Sequence, residues 1–195
     1  MRKSNAEAAE TRQRIVETAA SEFRRHGIHA TGLADLMAAA GLTHGGFYRH
    51  FASKDQLVAE ACAAAVESVT EKLGETVSRH AKSQKSKRTA WQAAAAGYLS
   101  TEHRDDPSGG CPFAALGEEL ARGDDSTRAA ATKGFQKLVD FLAEQLRETR
   151  PTHAKRRALV ALSAMVGAMT MSRMVTDPEL SAAILRETKA YLADA

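Results

Sequence analysis

The chain has 195 residues, of which 44% are apolar and 26% charged, too apolar for a disordered polymer and long enough to bury a substantial core. Thirty-nine alanines stand against three isoleucines and 5% aromatics, which starves a β-sheet of its preferred residues and makes an all-α fold the expectation. The net charge of +3 announces no nucleic-acid partner globally, so any such partner must be sought in local patches.

Ile15, Val16, Ala19, Ala20 and Phe23 recur at helical spacing and predict a first helix over 7–27, ended by Gly27 as a C-terminal cap. Thr31, read as an N-cap, precedes Leu33, Leu36, Met37 and Ala40, a short second helix that stops at Gly41. Thr43 opens a third short helix through Phe51. Ser53 and Gln56 have the spacing of a capping box that starts a long fourth helix carrying Leu57, Val58, Ala61, Ala65, Val69 and Leu73. Helices of about ten residues are marginal alone, so residues 1 to about 55 are expected to fold as a small unit connected by the fourth helix.

Residues 80–88 read as a basic polar loop, after which Trp91 to Leu99 resume a helix. Asp105 to Gly110 is the strongest break in the chain, and Pro112 stands where the next helix takes its first residue, with Phe113, Leu116 and Leu120 on one face. A long helix is predicted over 126–150, closed by Pro151. Two more follow, over 155–175 and from Pro178 to Leu192, the last capped at Asp177. Cys62 and Cys111 are far apart and outside any ligand spacing, which argues against a disulfide scaffold or structural zinc. The charged N-terminus and the absence of a long apolar run predict a cytoplasmic protein without a membrane partner.

Between Asp35 and Asp55 there is no acidic residue, and that window is where an anion is expected. It holds Thr43, His44, Gly45, Gly46, Phe47, Tyr48, Arg49, His50 and Phe51. A helix, a turn at Gly41 and a second short helix form a helix-turn-helix, whose second helix enters the DNA major groove by its N-terminal residues, here Thr43 and His44. Two glycines in a helix cost about 1 kcal/mol each relative to alanine. Gly45 and Gly46 therefore imply a close approach, either of DNA or of helix one. Tyr48, His50 and Lys54 can donate to phosphate oxygens, while Phe47 and Phe51 are expected in the core.

These residues resemble the TetR family of transcriptional regulators. The match runs from Thr11 to about Leu57 and is strongest in Gly45-Gly46-Phe47-Tyr48-Arg49-His50-Phe51 followed by Ser53-Lys54-Asp55-Gln56-Leu57. The resemblance implies nine or ten helices: a DNA-binding domain over 9–69, with its helix-turn-helix at about 32–51, and a regulatory and dimerisation domain over 70–195. It further implies DNA contact at Thr31, Thr43, His44, Gly45, Gly46, Tyr48, Arg49, His50 and Lys54. Departures are Gly32 at the start of helix two, His44 for a frequent lysine, and Gly46 for a frequent threonine or serine. The partners implied are a double-stranded operator, a second copy of the chain bound through the last two helices, and a small apolar effector.

Two half-sites held at fixed spacing multiply the affinity of a weak single head, which is the mechanical reason to expect a homodimer. Ala158, Ala161, Ala164 and Ala168 are expected to allow close approach of the paired helices. Candidate effector contacts are Trp91, Tyr98, Phe113, Phe135, Met165 and Met169, with Phe141 beside them. Cys111, at a predicted helix N-terminus, raises the alternative of a thiol sensor for oxidants or electrophiles, provided that the thiol is accessible and its pKa lowered. No Gly-rich phosphate loop, nucleophile elbow or H-E-x-x-H pair occurs, so neither an enzyme nor a cofactor is expected. A helical protein-binding adaptor without DNA is the remaining alternative.

Overall fold

The computed structural model describes residues 5–83, 89–146 and 150–194, and among these every regular element is helical. In chain order they are α1 (Asn5–His26), α2 (Leu33–Ala39), a 3₁₀ helix (His44–Arg49), α3 (Lys54–Lys82), α4 (Ala90–Tyr98), α5 (Thr101–Asp105), α6 (Pro112–Ala121), α7 (Asp125–Gln145), α8 (Pro151–Met174) and α9 (Pro178–Asp194). Part of the basic loop expected over 80–88, and the predicted helix end at 147–149, lie outside the described residues.

Local chemistry sets most boundaries. Gly27 adopts φ +89° and Gly41 φ +71°, left-handed conformations that end α1 and α2 without the penalty a Cβ would bring. Asp124 starts α7 by accepting from the Thr127 amide at 2.8 Å, and the Ser53 hydroxyl starts α3 by accepting from Gln56 N at 3.0 Å. The Gln56 side chain reaches back one residue further than the ideal capping box, to Ala52 N at 2.8 Å.

Three boundaries differ from the sequence expectation. The N-cap of α2 is Gly32, which has no side chain to cap with; Thr31 instead turns inward and donates to Gly27 O at 2.7 Å. Pro151 opens α8 rather than closing α7, because its missing N–H is no loss in a first helical turn. The short α5 is an element the periodicity did not reveal, nucleated by Ser100 accepting from His103 N at 3.1 Å.

Two apolar cores share the long α3. The first joins Ile15, Phe23, Leu36, Met37, Phe47, Phe51 and Leu57 and also takes Leu116 and Leu120 from α6. The second gathers Trp91, Tyr98, Leu138, Leu142, Leu162, Met165, Met169 and Leu185. Along α3 the change of core falls between Ala65 and Val66, and Phe113 packs against both. Gly134 lets α7 lie close on α3, since a Cβ there would stand 2.8 Å from Val66 Cγ2. No helix among the described residues is long and apolar enough to cross a membrane.

Candidate nucleic-acid interface

The segment after Gly41 is helical but wound as a 3₁₀ helix, His44–Arg49, rather than an α-helix, a form that suits a single short piece with two adjacent glycines. Its winding divides the side chains sharply. Phe47 is fully buried whereas its neighbour Tyr48 is 66% exposed. Phe47 stacks on Phe51 with ring centroids 5.5 Å apart, and Tyr48 meets it edge-on at 5.1 Å. The two phenylalanines are therefore the anchor expected of them. Thr43, His44, Gly45, Tyr48 and Arg49 share the exposed face, with Gly46 and His50 half-buried at its edge.

The glycine pair is informative here. A Cβ on Gly45 would meet nothing within 4 Å, and one on Gly46 would make only an ordinary 3.7 Å contact with Met37. Packing against α1 therefore does not explain the glycines.

Two expected contact residues are engaged within the protein. Lys54 Nζ donates to Ile28 O at 2.6 Å and to Thr31 O at 2.7 Å, fastening the turn after α1 to the start of α3. Thr31 is buried in that same turn. The remaining expected residues of the face are brought together.

Sequence reasoning missed the residues that aim this face. Arg12 of α1 holds Glu60 of α3 in a bidentate ion pair, donates to His50 O at 3.3 Å, and lies 4.5 Å over the Phe51 ring. On the far side, Glu119 of α6 accepts from Ile28 N at 3.0 Å and His29 N at 2.9 Å, with His29 Nδ1 at 2.8 Å. Burial alone would push the Glu119 carboxyl up, but the bonds from His29 and Ile28 outweigh it and hold the pKa below its ordinary value. Arg24, buried at the end of α1, donates from Nε to Ser108 O at 2.7 Å. Partners separated by 38 to 91 residues leave no local signal in a sequence.

In the body, the six expected effector contacts do not form one pocket. Trp91 donates from Nε1 to Leu192 O at 2.7 Å, tying α4 to α9. Tyr98, Met165 and Met169 are buried in the second core. Only Phe113 and Phe135, edge to face at 5.6 Å, border a common cavity. Phe141 packs against the second core from its edge.

The sensor expectation for Cys111 is corrected. Its side chain is 0% exposed, and burial raises the thiol pKa against the opposing hydrogen bonds from Tyr98 and the first amides of α6. The helix N-terminus is real but buried, so desolvation prevails over the dipole. Cys62 is also buried, and its thiol is pushed up to about 11. Three of the four alanines expected at a helix pairing face, Ala158, Ala161 and Ala168, are likewise buried in the chain's own core, leaving Ala164 outside.

A helix-turn-helix head with one exposed donor-rich face, carried on a larger helical body, defines a DNA-binding regulator. The comparisons agree at both ends of the chain. The model of bacterial regulatory proteins of the tetR family matches residues 15–61, and that of the C-terminal domain of LmrA/YxaF-like transcriptional regulators matches 88–185, half of the chain. The chain belongs to the TetR family of transcriptional regulators.

It is 44% identical over 59 residues to a probable acrEF/envCD operon repressor of Escherichia coli K12, a match that covers 30% of this chain and only 27% of that relative. An uncharacterized HTH-type transcriptional regulator of Mycobacterium tuberculosis is 29% identical over 174 residues, 85% of this chain and 86% of the relative. A TetR transcriptional regulator from Chloroflexus aurantiacus has a solved structure similar to this one with TM-score 0.73 and 27% identity, covering 97% and 95% of the two chains.

Proposed function

We propose that the protein is a repressor that binds a two-fold-symmetric operator as a homodimer and leaves it when a small apolar effector occupies the body. Thr43, His44, Tyr48 and Arg49 supply the contacts, and the observation that carries the reading is the exposed face of the 3₁₀ helix, on which Gly45 has open space around it while Phe47 anchors the other side. A duplex groove needs that clearance, and residues 36–54 carry no carboxylate to repel phosphate.

The second copy is supported by the outer face of α8. Val160, Ala164, Gly167, Met171 and Met174 form one exposed stripe at helical spacing, and nothing lies within 4 Å of where a Gly167 Cβ would be. Small residues between large apolar ones suit a close helix pair. Leu180 and Tyr191 extend the exposed apolar surface on α9. Repression is supported by the likeness of the head to the probable operon repressor of Escherichia coli.

Selection of bound duplexes from a random pool tests the proposal, with a palindromic consensus as the expected result. No enrichment, or an asymmetric single half-site, refutes it. On the selected operator, Arg49→Ala should weaken binding and lower the log–log salt slope by about 1 if Arg49 neutralises a phosphate.

A further inference from the structure

The outer side of the body carries an open apolar trough that the buried aromatic residues do not reach. One lobe, about 490 Å³, lies between Phe113 and Leu120 of α6, Phe135 of α7 and Leu159 of α8. A second, about 480 Å³, continues past Phe135 and Leu159 to Arg156 and to Val160, where it borders the stripe proposed for the second copy. Each lobe falls within the roughly 300–1,000 Å³ typical of small-molecule sites.

The charges around this trough do not cancel. Lys155 is neutralised by Asp140 at 2.8 Å, and Arg128, at the opposite end, faces Asp125 only at 3.9 Å. Arg156 has no ion pair or hydrogen bond among the described residues, and it lines the second lobe. An apolar floor with an unmatched guanidinium at its end fits a ligand with an apolar body and one anionic group.

We infer that the α6–α7–α8 trough binds a small amphipathic organic anion, its apolar part on Phe113, Phe135 and Leu159 and its charged group on Arg156. The inference rests on the effector reading above and gives it a place and a ligand class. It also gives the ligand a route to the DNA-reading face. Leu120 lines the trough and belongs to the first core, Phe113 packs against both cores, and α6 carries the Glu119 that holds the turn after α1. A ligand seated against α6 therefore bears on the same helix that fixes the head.

Gly117 supplies the test. It lines the first lobe, and nothing lies within 4 Å of where its Cβ would be, so Gly117→Phe fills the trough while improving helix propensity. The full-length protein is titrated calorimetrically with octanoate and with uncharged 1-octanol, and its oligomeric state is measured alongside. The expected result is octanoate binding at least fivefold tighter than octanol. Arg156→Gln should remove that preference, and Gly117→Phe should abolish binding of both with its melting temperature kept.

Unchanged octanoate binding by Gly117→Phe overturns the inference, as does equal affinity of the wild type for acid and alcohol. A Leu159→Glu variant that becomes monomeric, in a protein that never bound octanoate, assigns the trough to a second copy and overturns it as well. Operator release is read in the same titration. Binding without release counts against the effector reading and leaves the trough assignment standing, whereas operator binding by a protein blind to octanoate removes the trough assignment alone.

Discussion

Head and body differ in how completely their polar groups are paired. In the turn between α1 and α2, Thr31, Lys54 and Glu119 each find backbone partners within 3.0 Å. In the body and at its junction with α1, the buried atoms Thr127 Oγ1, Arg173 Nη1 and Arg24 Nη1 have no hydrogen-bond partner among the described residues. Each such orphan costs about 1–3 kcal/mol. The turn is thus fastened from α3 and α6, whereas the body leaves some buried polar groups unpaired. That difference is compatible with the proposed effector response, which requires a second state of comparable free energy.

The contrast breaks most visibly in the head. Phe47→Ala removes a fully buried ring stacked on Phe51, and such truncations cost about 3–5 kcal/mol. DNA binding should disappear together with a large drop in melting temperature. Retention of operator binding by this variant would show that the head is not the rigid part.

His103 tests the body. Its ring is fixed by Nδ1 donating to Tyr98 O at 2.7 Å and Nε2 accepting from Cys111 N at 2.9 Å, an arrangement only the neutral imidazole can make. Burial first, with Arg173 and Lys72 adding to it, pushes the pKa from 6.5 down to about 4 despite the Tyr98 bond. The unfolded chain therefore binds the proton more readily. The stabilisation is complete above about pH 6.5 and is lost as pH falls toward about 4, on the order of 3 kcal/mol in all. Melting temperatures measured across that window should fall in the wild type and stay flatter in His103→Gln, which keeps an acceptor for the Cys111 amide. Parallel curves for the two proteins would contradict this account.

A smaller effect is expected where head and body meet. Glu119→Ala leaves the amides of Ile28 and His29 without their acceptor and should cost about 1–3 kcal/mol. Hydrogen exchange at those two amides should rise well before global unfolding, with operator affinity falling in step. Because the Glu119 carboxyl is held below its ordinary pKa, its contribution is present above the usual glutamate range and fades as pH falls through the lowered value. Unaltered protection at Ile28 and His29 would mean that α6 does not fasten the turn.

The reading face was legible because its signals are local. A run without acids, two adjacent glycines, and aromatics four apart at Phe47 and Phe51 all lie within one short window of the chain. Thr31 and Lys54 show the limit: both are polar residues beside the motif, and nothing in their spacing says that they turn inward to backbone carbonyls. Cys111 shows it more sharply. Its place before Pro112 was readable, but its burial depends on α4, α5 and α8 closing over it.

Composition and periodicity determined the helical class, most helix starts and stops, and the identity of the DNA-reading segment, since these depend on neighbours within a few positions. Tertiary structure decided which alanines of α8 face inward, that α6 serves the head's core as well as the body's, and that Phe113 and Phe135 border an open trough while Trp91, Tyr98, Met165 and Met169 do not. Those outcomes are set by contacts between residues tens of positions apart. A helix's own pattern says which of its faces are apolar, but not which neighbour will cover them.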